Sequence, residues 1–392
     1  MFQYRRAQER GFSVAIYLYR PGDGGLDRVA ILLANHLLHR GVPVELWMAH
    51  RDGPAAHLID PGMTVRQVAS PGGARRLSMI AQFPALATMV RRHRPDILYS
   101  AGNQSNMLVA LACAGSGTKA VSRISNPIVR PGQAGFGAFA RLSRFRAIAR
   151  MSALTIVMGE HDRALLAESG DVRLLPRPTV TAAMEQARAA RRPRDPAEPV
   201  RLLMVGLLAA QKDHATALLA LARLGHLDWR LTIAGQGPLL GDLRRQCVAL
   251  GIADRVTFAG YVGDPQAVAT LMGEADILLQ PSCWEGLCAT LIEALACGAQ
   301  VVAADCTPNI RPILADAGQH PPVPVGDAGA LARAIERTLA HPAPPHRLAQ
   351  AVRDHGVERA LDRYLRAMES LVDAPARQPA PQPAVASAVL MR

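Results

Sequence analysis

ADILLQPSCWEGLCATLIEALACGAQVVAAD, residues 275–305, contains a whole strand–turn–helix–strand unit. DILLQ is an apolar strand, PSCWEG a turn, residues 287–297 an apolar helix, and QVVAAD the next strand. Outward from this unit the same alternation repeats. RLLMVG, WRLTIAG and RVTFAG precede it, each followed by a helical stretch. Before them ARAARRPRDPAEPV (187–200), rich in arginine and proline, cannot continue a sheet and reads as a linker. The first half alternates in the same way: FSVAIYLY (12–19), VPVELWM (42–48), DILYS (96–100), AVSRI (120–124) and LTIVM (154–158) read as strands. LDRVAILLANHLLHRG lies between the first two as a helix, with Gly41 as its stop signal. Such alternation implies parallel sheets covered by helices on both faces. The fold class is therefore α/β, with two domains of similar architecture over residues 1–190 and 191–345. Residues 346–373 read as a closing C-terminal helix, and the Ala/Pro-rich residues 374–392 as a disordered tail.

In open parallel sheets ligands bind beyond the carboxyl ends of the strands, and two such domains facing each other make a cleft. The chemically telling residues do follow strands. Glu285 stands just before the 287–297 helix, whose free N–H groups favour an anion such as a phosphate. Glu293 is the only charged residue between Gly286 and Ala304. A carboxylate in so apolar a stretch needs donors to offset its desolvation, and sugar or ribose hydroxyls are donors. The plainer alternatives are a solvated loop residue for Glu285 and a carboxylate satisfied by a nearby arginine for Glu293. Lys119 and Lys212 stand among 42 arginines, so either can mark a place that requires a compact point charge; drift is the alternative. Gly22-x-Gly24-Gly25 is not the dinucleotide fingerprint and by itself reads as a tight βα turn.

Composition narrows the classes further. A formal charge of +12 is spread along the chain, and aromatics are 4% of it, so an anionic partner fits better than a nucleic acid. The six cysteines form no C-x-x-C pair and no histidines follow at zinc spacing; they read as reduced thiols of a cytoplasmic protein. No apolar run reaches about 18 residues, and the basic N-terminus lacks a cleavage signal. FGAFARLSRFRAIARM places Phe136, Phe139, Leu142 and Phe145 at intervals of three, with Arg141, Arg144, Arg146 and Arg150 among them. Such a helix either packs its phenylalanines into the first domain or lies peripherally on an anionic membrane at its inner face.

Glu285-x7-Glu293, set in EGLCATLIEALACGAQVV after an apolar strand, resembles the signature of the family-four retaining glycosyltransferases of bacterial polysaccharide and lipid-glycan assembly. VGLLAAQKDHATALLAL is similar to that family's VGRL-x-x-QKD segment, and LTIAGQGPLLGDLRRQCVALGIADRVTFAGYVGDP to its strand–GxGP–helix–strand run. The resemblance covers residues 200–338 and extends more loosely to GDGGLDRVAILLANHLLHRGVPVELW. It implies a GT-B fold, with two facing Rossmann-like domains and an interdomain cleft. The second domain would hold a UDP- or GDP-sugar, and the first a glycan, lipid-linked or small-molecule acceptor. By position, Lys212 would contact the donor diphosphate; Glu285 and the backbone of Gly286, Leu287 and Cys288 would hold the sugar and distal phosphate; Glu293 would hold the ribose. Gly24 and Gly25 would close over the donor. Lys212 and Glu285 are the expected catalytic pair, because negative charge gathers on the departing diphosphate and preorganised donors lower that barrier.

The implied activity is a retaining, metal-independent, hexosyltransferase-like transfer without a cofactor. No two aspartates are separated by one residue, so the D-x-D metal motif is absent. Two positions depart from the family pattern. Leu207 stands where an arginine is usual, leaving Lys212 as the only diphosphate cation identified, and Ser125 stands where a histidine is frequent. Ser125 and Asn126 are accordingly expected on the acceptor side, without the family's usual side chain there. These departures keep open a catalytically inactive GT-B protein acting as a binding or assembly partner. A sugar-nucleotide epimerase on the same fold is disfavoured by the E-x7-E neighbourhood.

Overall fold

In the computed structural model the described residues are 11–22, 25–70, 81–129 and 133–373. Seven strands form the first sheet: β1 (Val14–Leu18), β2 (Val44–Met48), β3 (Thr64–Gln67), β4 (Ile97–Ser100), β5 (Lys119–Arg123), β6 (Leu154–Val157) and β7 (Val172–Leu174). Their spatial order is β3-β2-β1-β4-β5-β6-β7, and every pair is parallel. The second sheet contains β8 (Val200–Val205), β9 (Trp229–Ala234), β10 (Val256–Gly260), β11 (Ile277–Gln280) and β12 (Gln300–Ala303), ordered β10-β9-β8-β11-β12 and again wholly parallel. Both orders reverse direction once, between β1 and β4 and between β8 and β11. Those switch points are where loops diverge and leave a crevice.

The central strands are apolar throughout because helices cover both faces; all five residues of β1 are buried. The helix Gly25–His39 buries Val29, Ala30, Ile31, Leu33, Ala34 and Leu37 against them. One core cluster joins both domains, combining Ile16 and Ile97 with Leu278, Leu291 and Val301. Leu361, Tyr364, Leu365 and Met368 of the final helix belong to the same cluster. That helix packs on the helix Gly25–His39, where Asp362 meets His36 at 3.0 Å and Arg40 at 2.8 Å. The closing region is two helices rather than one. Pro345–Val352 and Val357–Val372 are separated by the turn Arg353–His355, where the chain bridges back to Val180. The tail 374–392 lies outside the described residues.

Three further expectations need correction. The helix expected over 287–297 is Ala289–Ala296, since Leu287 and Cys288 finish the turn in non-helical backbone. The helix Ala182–Ala189 runs into the first residues of the expected linker. The spaced phenylalanines do not share one face: Phe136 and Phe139 are 85% and 66% exposed, whereas Phe145 is 3% exposed. Among the described residues no helix is long and apolar enough to cross a membrane.

Candidate active site

The second sheet's switch point brings Lys212 and Glu285 together. Lys212 lies in the turn Ala210–Lys212 after β8, and Glu285 in the turn after β11; these strands are neighbours. The two turns are stitched by Cys283 N donating to Gln211 O at 2.8 Å and Gln211 Nε2 donating to Trp284 O at 2.9 Å. Lys212 Nζ consequently donates to Glu285 Oε1 at 2.6 Å, with both side chains mostly buried. Ser282 Oγ also donates to Glu285 Oε1, at 3.2 Å. Behind it Gln280 Nε2 donates to Ser282 Oγ at 2.5 Å, and Thr290 Oγ1 donates to Gln280 Oε1 at 2.6 Å. This relay fixes Glu285 relative to the helix Ala289–Ala296. His214, two residues after Lys212, is buried and held at about 4 by desolvation and the lysine's charge. It is thus neutral at ordinary pH and leaves Lys212 as the cation of its turn, beside the capping carboxylate of Asp213.

The helix Ala289–Ala296 has no side-chain cap: Cys288 occupies the N-cap position without a side-chain bond. Its first N–H groups therefore remain available to an anion beside the Lys212–Glu285 pair. Gly286 explains itself by contact, since a methyl group there would strike Ser125 O and approach Asn126 Cα at 3.1 Å. The first domain thus meets the turn of the second at Ser125 and Asn126. Ser125 N donates to Asn103 Oδ1 at 3.0 Å, and its buried hydroxyl has no partner among the described residues.

Glu293 lies mid-helix, facing the first domain. Thr179 Oγ1 donates to its Oε1. Burial pushes the carboxyl above the ordinary carboxylate range, opposed by the Thr179 hydroxyl and the charges of Arg177, Arg28 and Lys212. The alternative reading of Glu293, a carboxylate balanced by arginine, thus has a physical basis beside its hydroxyl contact. Gly25 opens the helix Gly25–His39, and the Arg177 guanidinium rests against it. Gly24 lies outside the described residues. Lys119 is remote from this cleft, donating to Leu371 O.

Several residues of the cleft were not read from the sequence. Arg177 and Thr179 follow β7, a strand without an apolar run, so their place beyond a strand end had no local signal. Asn309 Nδ2 donates to Asp162 Oδ2 and to Gly286 O, both at 2.9 Å, tying the first domain to the turn that carries Glu285. Burial raises the Asp162 carboxyl above its ordinary range, against the Asn309 bond. No cluster of three His, Cys, Asp or Glu side chains suited to a metal occurs among the described residues.

Two sequence profiles match the chain side by side: "Glycosyltransferase Family 4" over residues 23–182 and "Glycosyl transferases group 1" over 186–355. The chain belongs to the family-four glycosyltransferases. A GDP-mannose-dependent alpha-(1-6)-phosphatidylinositol dimannoside mannosyltransferase of Mycobacterium tuberculosis is 36% identical over 126 residues, 31% of this chain and 32% of that one. The glycosyltransferase thus spans about a third of the length of the curated relatives it matches. Among solved structures, sucrose-phosphate synthase from Thermosynechococcus elongatus superposes with a TM-score of 0.74 at 20% identity, covering 92% of this chain and 99% of that one. Anabaena HepE in complex with UDP superposes with a TM-score of 0.72 at 16% identity, covering 91% and 100%. These likenesses establish the GT-B fold of this glycosyltransferase, with the two sheets as its two Rossmann-like halves.

Proposed function

We propose that this glycosyltransferase moves a sugar from a UDP- or GDP-sugar to a glycan, lipid-linked or small-molecule acceptor, with retention of anomeric configuration and without a divalent metal or cofactor. The observation that carries this reading is the Lys212–Glu285 pair beside an uncapped helix N-terminus at the second sheet's switch point. A cation and oriented N–H groups at one place suit the charge that develops on a departing diphosphate. Glu285 and the backbone of Gly286, Leu287 and Cys288 then hold the sugar and distal phosphate, Glu293 the ribose, and Gly24 and Gly25 close from the first domain, with Ser125 and Asn126 toward the acceptor. UDP in the Anabaena protein and GDP-mannose in the name of the mycobacterial relative support keeping both bases. The reading also places the protein in the cytoplasm, touching an anionic membrane through Phe136 and Phe139.

The test is turnover of UDP- and GDP-sugars with excess chelator, with NMR of the first-formed product. Transfer with the donor's anomeric configuration kept is the expected result. Activity abolished by chelator and restored by magnesium or manganese overturns metal independence; an inverted linkage overturns retention. Binding of a nucleotide sugar with neither transfer nor hydrolysis favours the inactive binding partner, which the uncharged Leu207 supports.

A further inference from the structure

Leu207 is 58% exposed and brings no charge to the loop after β8, so Lys212 has no cationic neighbour in its own turn. A cation is held ready on the opposite wall. Arg177 lies between Pro176 and Pro178, just past β7, where the chain leaves the first sheet. Proline fixes its own backbone and confines the residue before it to extended conformations. His355 Nδ1 lies 3.0 Å from Arg177 O, and His355 O accepts from Thr179 N and Val180 N at 3.0 Å, which pins the segment. The guanidinium consequently has a set position, against Gly25 at the start of the helix Gly25–His39, where a methyl group would strike Nη2. From there its charge acts on both Glu293 and Glu285.

Arg177 is not satisfied by that arrangement. Among the described residues its Nε is buried without a hydrogen-bond partner, and so is Nη1 of Arg123, a fully buried arginine at the end of β5 whose like charge repels that of Arg177. The carboxylates nearby take their hydrogen bonds elsewhere: Glu293 from Thr179, and Glu285 from Lys212 and Ser282. Buried cations with unused donors are costly unless an anion completes them.

We propose that Arg177 is a donor-binding residue, gripping the diphosphate from the first domain while Lys212 grips it from the second. This rests on the nucleotide-sugar reading above. It gives the enzyme a two-sided clamp in which the phosphates themselves bridge the domains, and a guanidinium fork is suited to two phosphate oxygens.

The experiment compares wild type, Arg177→Met and Arg177→Lys for binding of UDP and GDP by calorimetry, and of uridine and guanosine by ligand-observed NMR, with melting curves for each protein. For whichever nucleotide wild type binds, Arg177→Met is expected to weaken it about ten- to a hundredfold, with the matching nucleoside unchanged within about twofold. Arg177→Lys keeps the charge and stem, loses the fork, and should weaken the nucleotide about severalfold with the nucleoside again unchanged. If Arg177→Met does not fold, the lysine variant decides. Unchanged nucleotide affinity in a folded variant, or equal weakening of nucleotide and nucleoside, overturns the assignment while the donor reading stands. A wild-type protein that binds neither UDP nor GDP overturns both.

Discussion

Lys212 is paired with Glu285 at 2.6 Å, so in the proposed donor complex the lysine would be shared between a carboxylate and a phosphate. Lys212→Ala is expected to lower turnover on the order of 100-fold or more while the protein stays folded, since one preorganised donor to the developing charge is removed. Near-normal turnover in that variant would put the diphosphate charge elsewhere. Leu207→Arg, at an exposed position in the same loop, should be tolerated or tighten donor binding in the same assay. Glu293 gives a prediction with a sign. Because burial raises its folded-state pKa, the folded protein holds that proton more tightly than the unfolded chain. Its stabilising effect is full at pH below the ordinary carboxylate value and is lost as pH rises through the raised value. Glu293→Gln should flatten that part of the melting-temperature profile and melt no lower than wild type at neutral pH. It should also weaken nucleotide binding about tenfold, through loss of charged hydrogen bonds to hydroxyls.

At the scale of elements, the strands that sequence reading overlooked are β3 and β7, at the two edges of the first sheet. Thr64–Gln67 has one apolar residue in four and no fully buried position, so it lacks the run that marks the interior strands. An edge strand has a neighbour on one side only and is less enclosed, and its composition follows. The helix Gly135–Met151 illustrates the opposite error, a pattern that looks continuous and is not. Steps of three residues fall about 60° short of a full turn, so Phe136 and Phe145 end about 180° apart. Phe145 enters the core, and Phe136 and Phe139 face outward. Arg141 donates to the carbonyls of Pro127 and Ile128, and Arg144 and Arg146 to those of Asn103 and Leu165. Those arginines brace the helix, so the proposed membrane contact would fall chiefly to the two exposed rings. Replacing both by serine should reduce sedimentation with anionic vesicles about tenfold or more, because each ring removes substantial apolar area. Sedimentation equal to wild type would end the peripheral-membrane reading of this helix.

At the scale of the molecule, the two domains are held by the crossings at Val180 and Gly356, by a shared core, and by the Asp162–Asn309–Gly286 latch. Asn309→Ala removes two hydrogen bonds and leaves the buried Asp162 carboxyl with the Ile128 N–H but without its amide donor, at a cost of about 1–3 kcal/mol. Solution scattering of this variant without nucleotide should give a larger radius of gyration, and saturating donor should reverse part of the change. An unchanged radius would show that the core alone sets the closure.

The α/β class, the repeated strand–helix alternation and the positions of Lys212, Glu285 and Glu293 were legible in the chain because each rests on local order. Buried parallel strands must be apolar runs, and a site beyond a strand end inherits that strand's signal. The tertiary structure alone decided which residues meet across the cleft. Thr179 and Glu293 are 114 residues apart, Asp162 and Asn309 are 147 apart, and Arg177 reaches Gly25 from the far end of the same domain. No periodicity spans such distances. These pairings arise only when distant segments of the chain pack into one core, and the Arg177–Gly25 contact determines where a second cation stands.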